Sequence, residues 1–234
     1  MSLSVRSVPI VTAAGLAVIT LAAWVALIAG TPMTDPTTFL LAWIAMMVAM
    51  MLPSSAPMLL LYRVSAGDGS RGELRTLAFG AGYLLVWAFV GLIVLLAQRF
   101  LDAAVSPDLR PLGVAAVLGA GGAYQFTPLK ATCLRACQTP ADFLVRHWRG
   151  GAIGALRLGL DHGLYCLGCC WALMAVLVAA GGMGLAWVAL IALIVLVEKV
   201  TPRAVWFGHA VGVAFLLGAL VVTLRPELVT PMAM

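Results

Sequence analysis

The chain has 234 residues, of which 63% are hydrophobic and 10% charged, with a net charge of +5 at neutral pH and a mean hydropathy of +1.09. A soluble domain of this size needs far more charge to cover its surface, so a sizeable water-soluble enzyme domain is excluded. The apolar residues come in blocks of about 20, long enough to cross a bilayer, and the reading is an all-α, polytopic transmembrane helical bundle forming a single integral membrane domain.

Seven apolar segments follow one another, at about 8–30, 38–62, 76–98, 112–129, 155–181, 183–199 and 203–224. The first follows Arg6 and runs from Val8 to Gly30. That is longer than the roughly 7–15 residues of a signal-peptide core, so it reads as a retained helix. The second holds Met46, Met47, Met50 and Met51, then Pro53, Ser54, Ser55 and Pro57. Proline inside a helix removes a backbone hydrogen bond and kinks it, and the serines are candidates to satisfy the freed carbonyls. The fourth is short and rich in glycine (Gly119, Gly121, Gly122), which suits close packing or a re-entrant course. Only Gly181, Gly182, Met183 and Gly184 separate the fifth from the sixth, which predicts a tight helical hairpin. Glu198 and Lys199 close the sixth as an interfacial ion pair. In the seventh, Gly208 and Gly212 form a small-residue packing face, with His209 as a candidate ligand or proton-relay residue.

The basic residues orient the bundle. With the N-terminus inside, inner segments carry Arg6, Arg63, Arg71, Arg75, Lys130, Arg135, Arg146, Arg149, Arg157, Lys199 and Arg203, eleven of the fourteen. Outer segments carry Arg99, Arg110 and Arg225. Cytoplasmic loops concentrate Lys and Arg, so the split supports seven spans, N-terminus in and C-terminus out, or six if the fourth segment does not cross. It also explains the basic balance without nucleic acid. The stretch 130–154 becomes a cytoplasmic amphipathic loop, in which Phe143, Leu144 and Trp148 among Arg146, His147 and Arg149 suit a helix lying on the inner leaflet.

The chemistry concentrates in the fifth segment. His162, Cys166, Cys169, Cys170 and Met174 are spaced by three or four residues, so a helix places them on one stripe. Thiolate and thioether sulfurs are soft donors that select Cu(I) first and zinc or another soft metal next. Asp161 is an ionisable residue in a span, a functional candidate by default. It is read as orienting His162, pairing with Arg157 or simply solvated at the interface. At ~1.5 Å rise per residue, Met50 and Met51 lie roughly 17 Å from the inner end of their helix and Cys166 to Cys170 roughly 16–22 Å from theirs, so the two sulfur groups share a depth. Cys133 and Cys137 form a further pair, one turn apart, with Lys130 and Arg135 near enough to favour thiolates.

Three stretches carry a resemblance: residues 46–54 (MMVAMMLPS), 124–137 (YQFTPLKATCLRAC) and 166–171 (CLGCCW). Together, over roughly residues 40–200, they resemble a family of predicted metal-binding bacterial membrane proteins, named for a membrane protein proposed as a copper chaperone that supports a bacterial tyrosinase. The resemblance implies a helical bundle that handles copper. The residues themselves lead to Cu(I) binding and delivery in a bacterial cytoplasmic membrane, to or from a client enzyme or metal donor. Cu(I) would step along Met46, Met47 and Met174, then Met50 and Met51 with the three clustered cysteines, then Cys133 and Cys137. There is no Gly-rich phosphate loop for ATP. Two other readings stay open: a thiol–disulfide relay between Cys166/Cys169 and Cys133/Cys137, and an accessory subunit of a membrane metalloenzyme.

Overall fold

A computed structural model of the chain describes residues 2–30, 35–104, 106, 109–179, 184–201 and 204–228. Among these residues the regular structure is entirely helical: α1 (Ser2–Ala29), α2 (Pro36–Ser65), α3 (Gly69–Ala104), α4 (Arg110–Tyr124), α5 (Pro128–Gln138), α6 (Pro140–His147), α7 (Gly151–Ala179), α8 (Leu185–Val200), α9 (Ala204–Leu224) and a 3₁₀ turn at Pro226–Leu228. An α-helix satisfies its backbone polar groups within one segment, as a chain in lipid requires. Five helical stretches are long and apolar enough to cross a membrane: Ile10–Ala29, Pro36–Ser65, Gly69–Leu101, Gly151–Ala179 and Val205–Leu224. The fourth and sixth predicted segments form helices of 15 and 16 residues, short of the ~20 that an untilted span takes. The predicted hairpin connection at 181–183 lies outside the described residues.

Helix α2 begins with a reciprocal cap. The Asp35 carboxylate accepts from the backbone N–H of Thr37 and Thr38, and the Thr38 hydroxyl accepts from the Asp35 N–H. Pro36 occupies the first turn, where its missing N–H costs nothing. These N–H donors hold the Asp35 carboxyl below its ordinary range. The helix then runs without a break through Pro53 and Pro57. The carbonyls that these prolines leave without an i+4 donor are those of Ala49 and Pro53. The serines act elsewhere: Ser54 donates to the Met51 carbonyl and Ser55 to the Tyr83 hydroxyl.

The chain divides into two compact units. The first takes residues Met1–Leu95 and Arg135–Leu167. In it α1 packs on α2, and a core gathers Met58, Leu59, Tyr62, Phe79, Phe143, Leu144, Ala155 and Leu158. Helix α3 meets the first half of α7 at glycines. A methyl on Gly82 would strike the Leu156 carbonyl, one on Gly159 the Phe79 carbonyl, and one on Gly163 would come within 2.8 Å of Val86. Gly91 likewise leaves room for the Trp43 indole, whose N–H donates to the Trp87 carbonyl. The second unit takes residues Leu96–Leu134 and Gly168–Met234, with α4 and α8 both packed on α9. There a methyl on Gly122 would lie 2.9 Å from the Gly212 carbonyl, which realises the packing face read from Gly208 and Gly212.

Within 130–154 the chain forms α5 and α6; α6 buries Phe143 and Leu144 in the first unit's core, while Val145 and Trp148 stay exposed. Glu198 pairs with Lys130, whose ammonium lies 2.7 and 2.8 Å from the two carboxylate oxygens. Lys199 also acts on Glu198 by its charge, so Lys130 adds a partner from α5 to the pair read at the end of this helix.

Because the Gly159 site is bounded by backbone, Gly159→Val is expected to overpack it at a cost of about 1–3 kcal/mol and to lower the Tm in detergent. Gly80→Ala, on α3 with open space around it, should leave the Tm unchanged or raise it slightly, since alanine favours helix. The Asp35 cap contributes fully above the ordinary carboxylate range. It fades as pH falls through the lowered value, so the Tm deficit of Asp35→Ala should shrink in acid.

Candidate metal centre

Helix α7 carries three thiols on consecutive turns. The Sγ atoms of Cys166, Cys169 and Cys170 all lie within 4.8 Å of one another, and all three residues are buried. With metal–sulfur bonds near 2.3 Å, two sulfurs in line on one ion stand about 4.6 Å apart and three around it about 4.0 Å, so rotamer adjustments of under about 1 Å bring the set into bonding range. Among the described residues this is the group of His, Cys, Asp and Glu side chains able to hold a metal. None of the five cysteines is in a disulfide.

In the first unit, Cys166 is held by a hydroxyl chain. The Tyr83 hydroxyl lies 3.2 Å from Cys166 Sγ and accepts from Ser55. His162, one turn earlier, is buried and stacks between Phe79 and Tyr83, with centroids 6.0 and 5.6 Å away, while Phe143 meets it edge-on. Its imidazole is therefore part of an aromatic cluster and lies outside the close thiol group. Asp161 lies 3.8 Å from Arg149, a cation brought in from the turn before α7. Met46, Met47, Met50 and Met51 are all buried in α2.

In the second unit, Gly168 makes a gap on α7 that Cys133 fills. A methyl on Gly168 would lie 2.6 Å from Cys133 Sγ and 3.3 Å from its Cβ. The absent side chain thus lets the α5 thiol rest on the turn that bears Cys169 and Cys170. Tyr124 supports the same turn by donating to the Gly168 carbonyl, and its ring packs edge-on against Trp171 at 4.9 Å. Burial pushes the Cys133 thiol above its usual range, and the neighbouring Cys169 adds to this. The thiolate assistance expected from Lys130 is absent, because its ammonium is engaged by Glu198. Met174 is buried further along α7 in this unit. Cys137 lies one turn beyond Cys133 on α5 and is half-buried.

The residues that sequence reading passed over are Tyr83, Ser55 as a partner of Tyr83, and Gly168 as a contact. Tyr124 and Trp171 stood within the recognised motifs but carried no role. For Tyr83 the one available signal is a hydroxyl within an apolar span, which needs a partner when buried.

A family model described as "PpoB2: Copper chaperone" matches residues 40–222. No curated protein and no solved structure matches the chain.

The Gly168 contact makes a geometric prediction that needs no metal. Gly168→Ala should push Cys133 off α7 and raise its alkylation by a small maleimide several-fold in detergent, read by mass spectrometry. Unchanged Cys133 reactivity would show that the contact does not shield it.

Proposed function

The chain belongs to the PpoB2 copper chaperone family, and from that premise we propose that it is a membrane-embedded Cu(I)-binding protein that takes up and passes on copper as cargo. The observation that carries this reading is the group of three buried thiols within 4.8 Å. Soft sulfur donors in a water-poor setting favour Cu(I) over harder ions. Cys166, Cys169 and Cys170 are the proposed primary ligands. Cys133, resting on Gly168, is the proposed exchange partner from α5. Handing a soft ion from one sulfur to the next keeps at least two bonds at each step, so it needs no driving nucleotide. His162, Met174, Met46, Met47, Met50, Met51 and Cys137 are proposed as further donors along the route, and Asp161 as a supporting charge.

The exposed apolar side chains on the long helices, such as Leu21, Val25 and Ile28 on α1 and Leu217 and Leu220 on α9, suit contact with lipid. The distribution of arginine and lysine supports seven spans in a bacterial cytoplasmic membrane with the N-terminus inside. A copper-dependent enzyme is the proposed client. The rival thiol–disulfide relay needs a partly exposed thiolate of low pKa. Cys166, Cys169 and Cys170 are buried, and the Cys133 thiol is shifted the other way.

The decisive experiment is a Cu(I) competition titration with metal analysis on detergent-purified protein, wild type beside the Cys166/Cys169/Cys170 triple serine variant. Tight binding that falls by orders of magnitude in the variant is expected. Absence of binding by the wild type, or binding that the variant retains, would remove this reading.

A further inference from the structure

The second unit contains a partly open cavity with several polar groups in a mostly apolar lining. Its volume is about 180 Å³, and its lining includes Gln125, Thr127, Lys130, Leu134, Gly208 and His209. Three features set it apart from a packing defect. Both amide atoms of Gln125 are buried and make no hydrogen bond among the described residues, and Gln125 is only 4% exposed. Lys130 in the lining is buried and ion-paired with the buried Glu198. Gly208 then opens the space between these groups. A methyl there would lie 3.1 Å from Glu198 Oε1, 3.8 Å from Gln125 Oε1 and 3.8 Å from Lys130 Cε. His209 stacks on the exposed Phe126, with centroids 5.0 Å apart.

The chemistry of the lining narrows the guest. Lys130 and Glu198 neutralise one another, so the pair leaves no net charge to recruit an ion. Gln125 offers an acceptor and two donors, and the ammonium of Lys130 keeps a third N–H beyond its two bonds to Glu198. A guest must therefore donate and accept while carrying no charge. Leaving a buried amide without partners is destabilising, and the volume holds several molecules at roughly 30 Å³ each.

We propose that this chamber is an internal hydration site. A small cluster of water bridges the Gln125 amide to the Lys130–Glu198 pair and brings water into an otherwise apolar unit. Lys130 stands one turn before Cys133 on α5, so the chamber carries water to within a helical turn of a thiol. The inference is independent of copper, since it concerns the protein without metal.

The test is radiolytic hydroxyl labelling of the full chain in detergent, with Leu134 as reporter. Leu134 lines the chamber yet is 2% exposed, and Leu158 in the first unit's core, at 0%, serves as the dry reference. Bound water should label Leu134 several-fold faster than Leu158. Gly208→Leu, which fills the space, should bring Leu134 down to the Leu158 rate. Should that variant lose its melting transition, Gln125→Leu decides, because it removes both unpartnered amide atoms and should slow labelling in the same way. Equal rates for Leu134 and Leu158 in the wild type would overturn the proposal, whether the chamber is dry or holds an organic guest. Labelling that persists in a folded variant of either kind would overturn it too.

Discussion

The constraint on which the rest depends is that a chain surrounded by lipid must bond its backbone within its own helices. Helical geometry then dictates how chemistry can be displayed. Donors that are to act together must either share a stripe on one helix or be brought in where two helices approach closely. Helix α7 does both. Its turn spacing gathers Cys166, Cys169 and Cys170, and its glycines at 159, 163 and 168 remove the side chains that would hold neighbours away. A hydroxyl on a neighbouring span, that of Tyr83, reaches Cys166 across such an approach. A thiol from a short helix, Cys133, reaches the 168–170 turn across another.

That division also separates what the sequence revealed from what it withheld. The helices and the thiol stripe were legible, because both depend on periodicity within one segment. Helix ends were displaced by a few residues, and long spans such as α3 (Gly69–Ala104) run past the apolar window into polar flanks that also favour helix. Partnerships were legible only within a turn or so of sequence. Around Asp161 the sequence offers Arg157, His162 or solvent, and the fold adds Arg149 from the turn before α7. Lys199 is the local neighbour of Glu198, and the Lys130 that joins it stands 68 positions away. No local pattern encodes such a distance, because the partner is chosen by how α5 and α8 are brought together in the second unit.

The stretch at 130–154 shows what an amphipathic pattern leaves open. Its alternation of Phe143 and Leu144 with charged neighbours describes an amphipathic helix correctly. What the pattern does not specify is whether the apolar face meets lipid or protein. Here the face closes over Tyr62, Phe79 and Leu158, and the Phe143 ring joins the cluster around His162. A histidine that looked like a ligand on spacing alone is thereby placed in aromatic surroundings. Its contribution is then to the packing behind Cys166 as much as to any donor set.

The Lys130–Glu198 pair completes this logic. Burying two charges costs several kcal/mol each before their attraction is counted, so a pair at 4% and 2% side-chain exposure is retained only if it does something that apolar packing cannot. Two oxygens on one ammonium fix the register of α5 against α8 closely. Cys133 lies one turn from Lys130 on that same short helix, so the pair also fixes where the thiol meets Gly168. Burial, with the neighbouring Cys169, pushes the Cys133 thiol above its usual range, so the ion pair bears on where this sulfur sits and the packing around it on how readily it ionises.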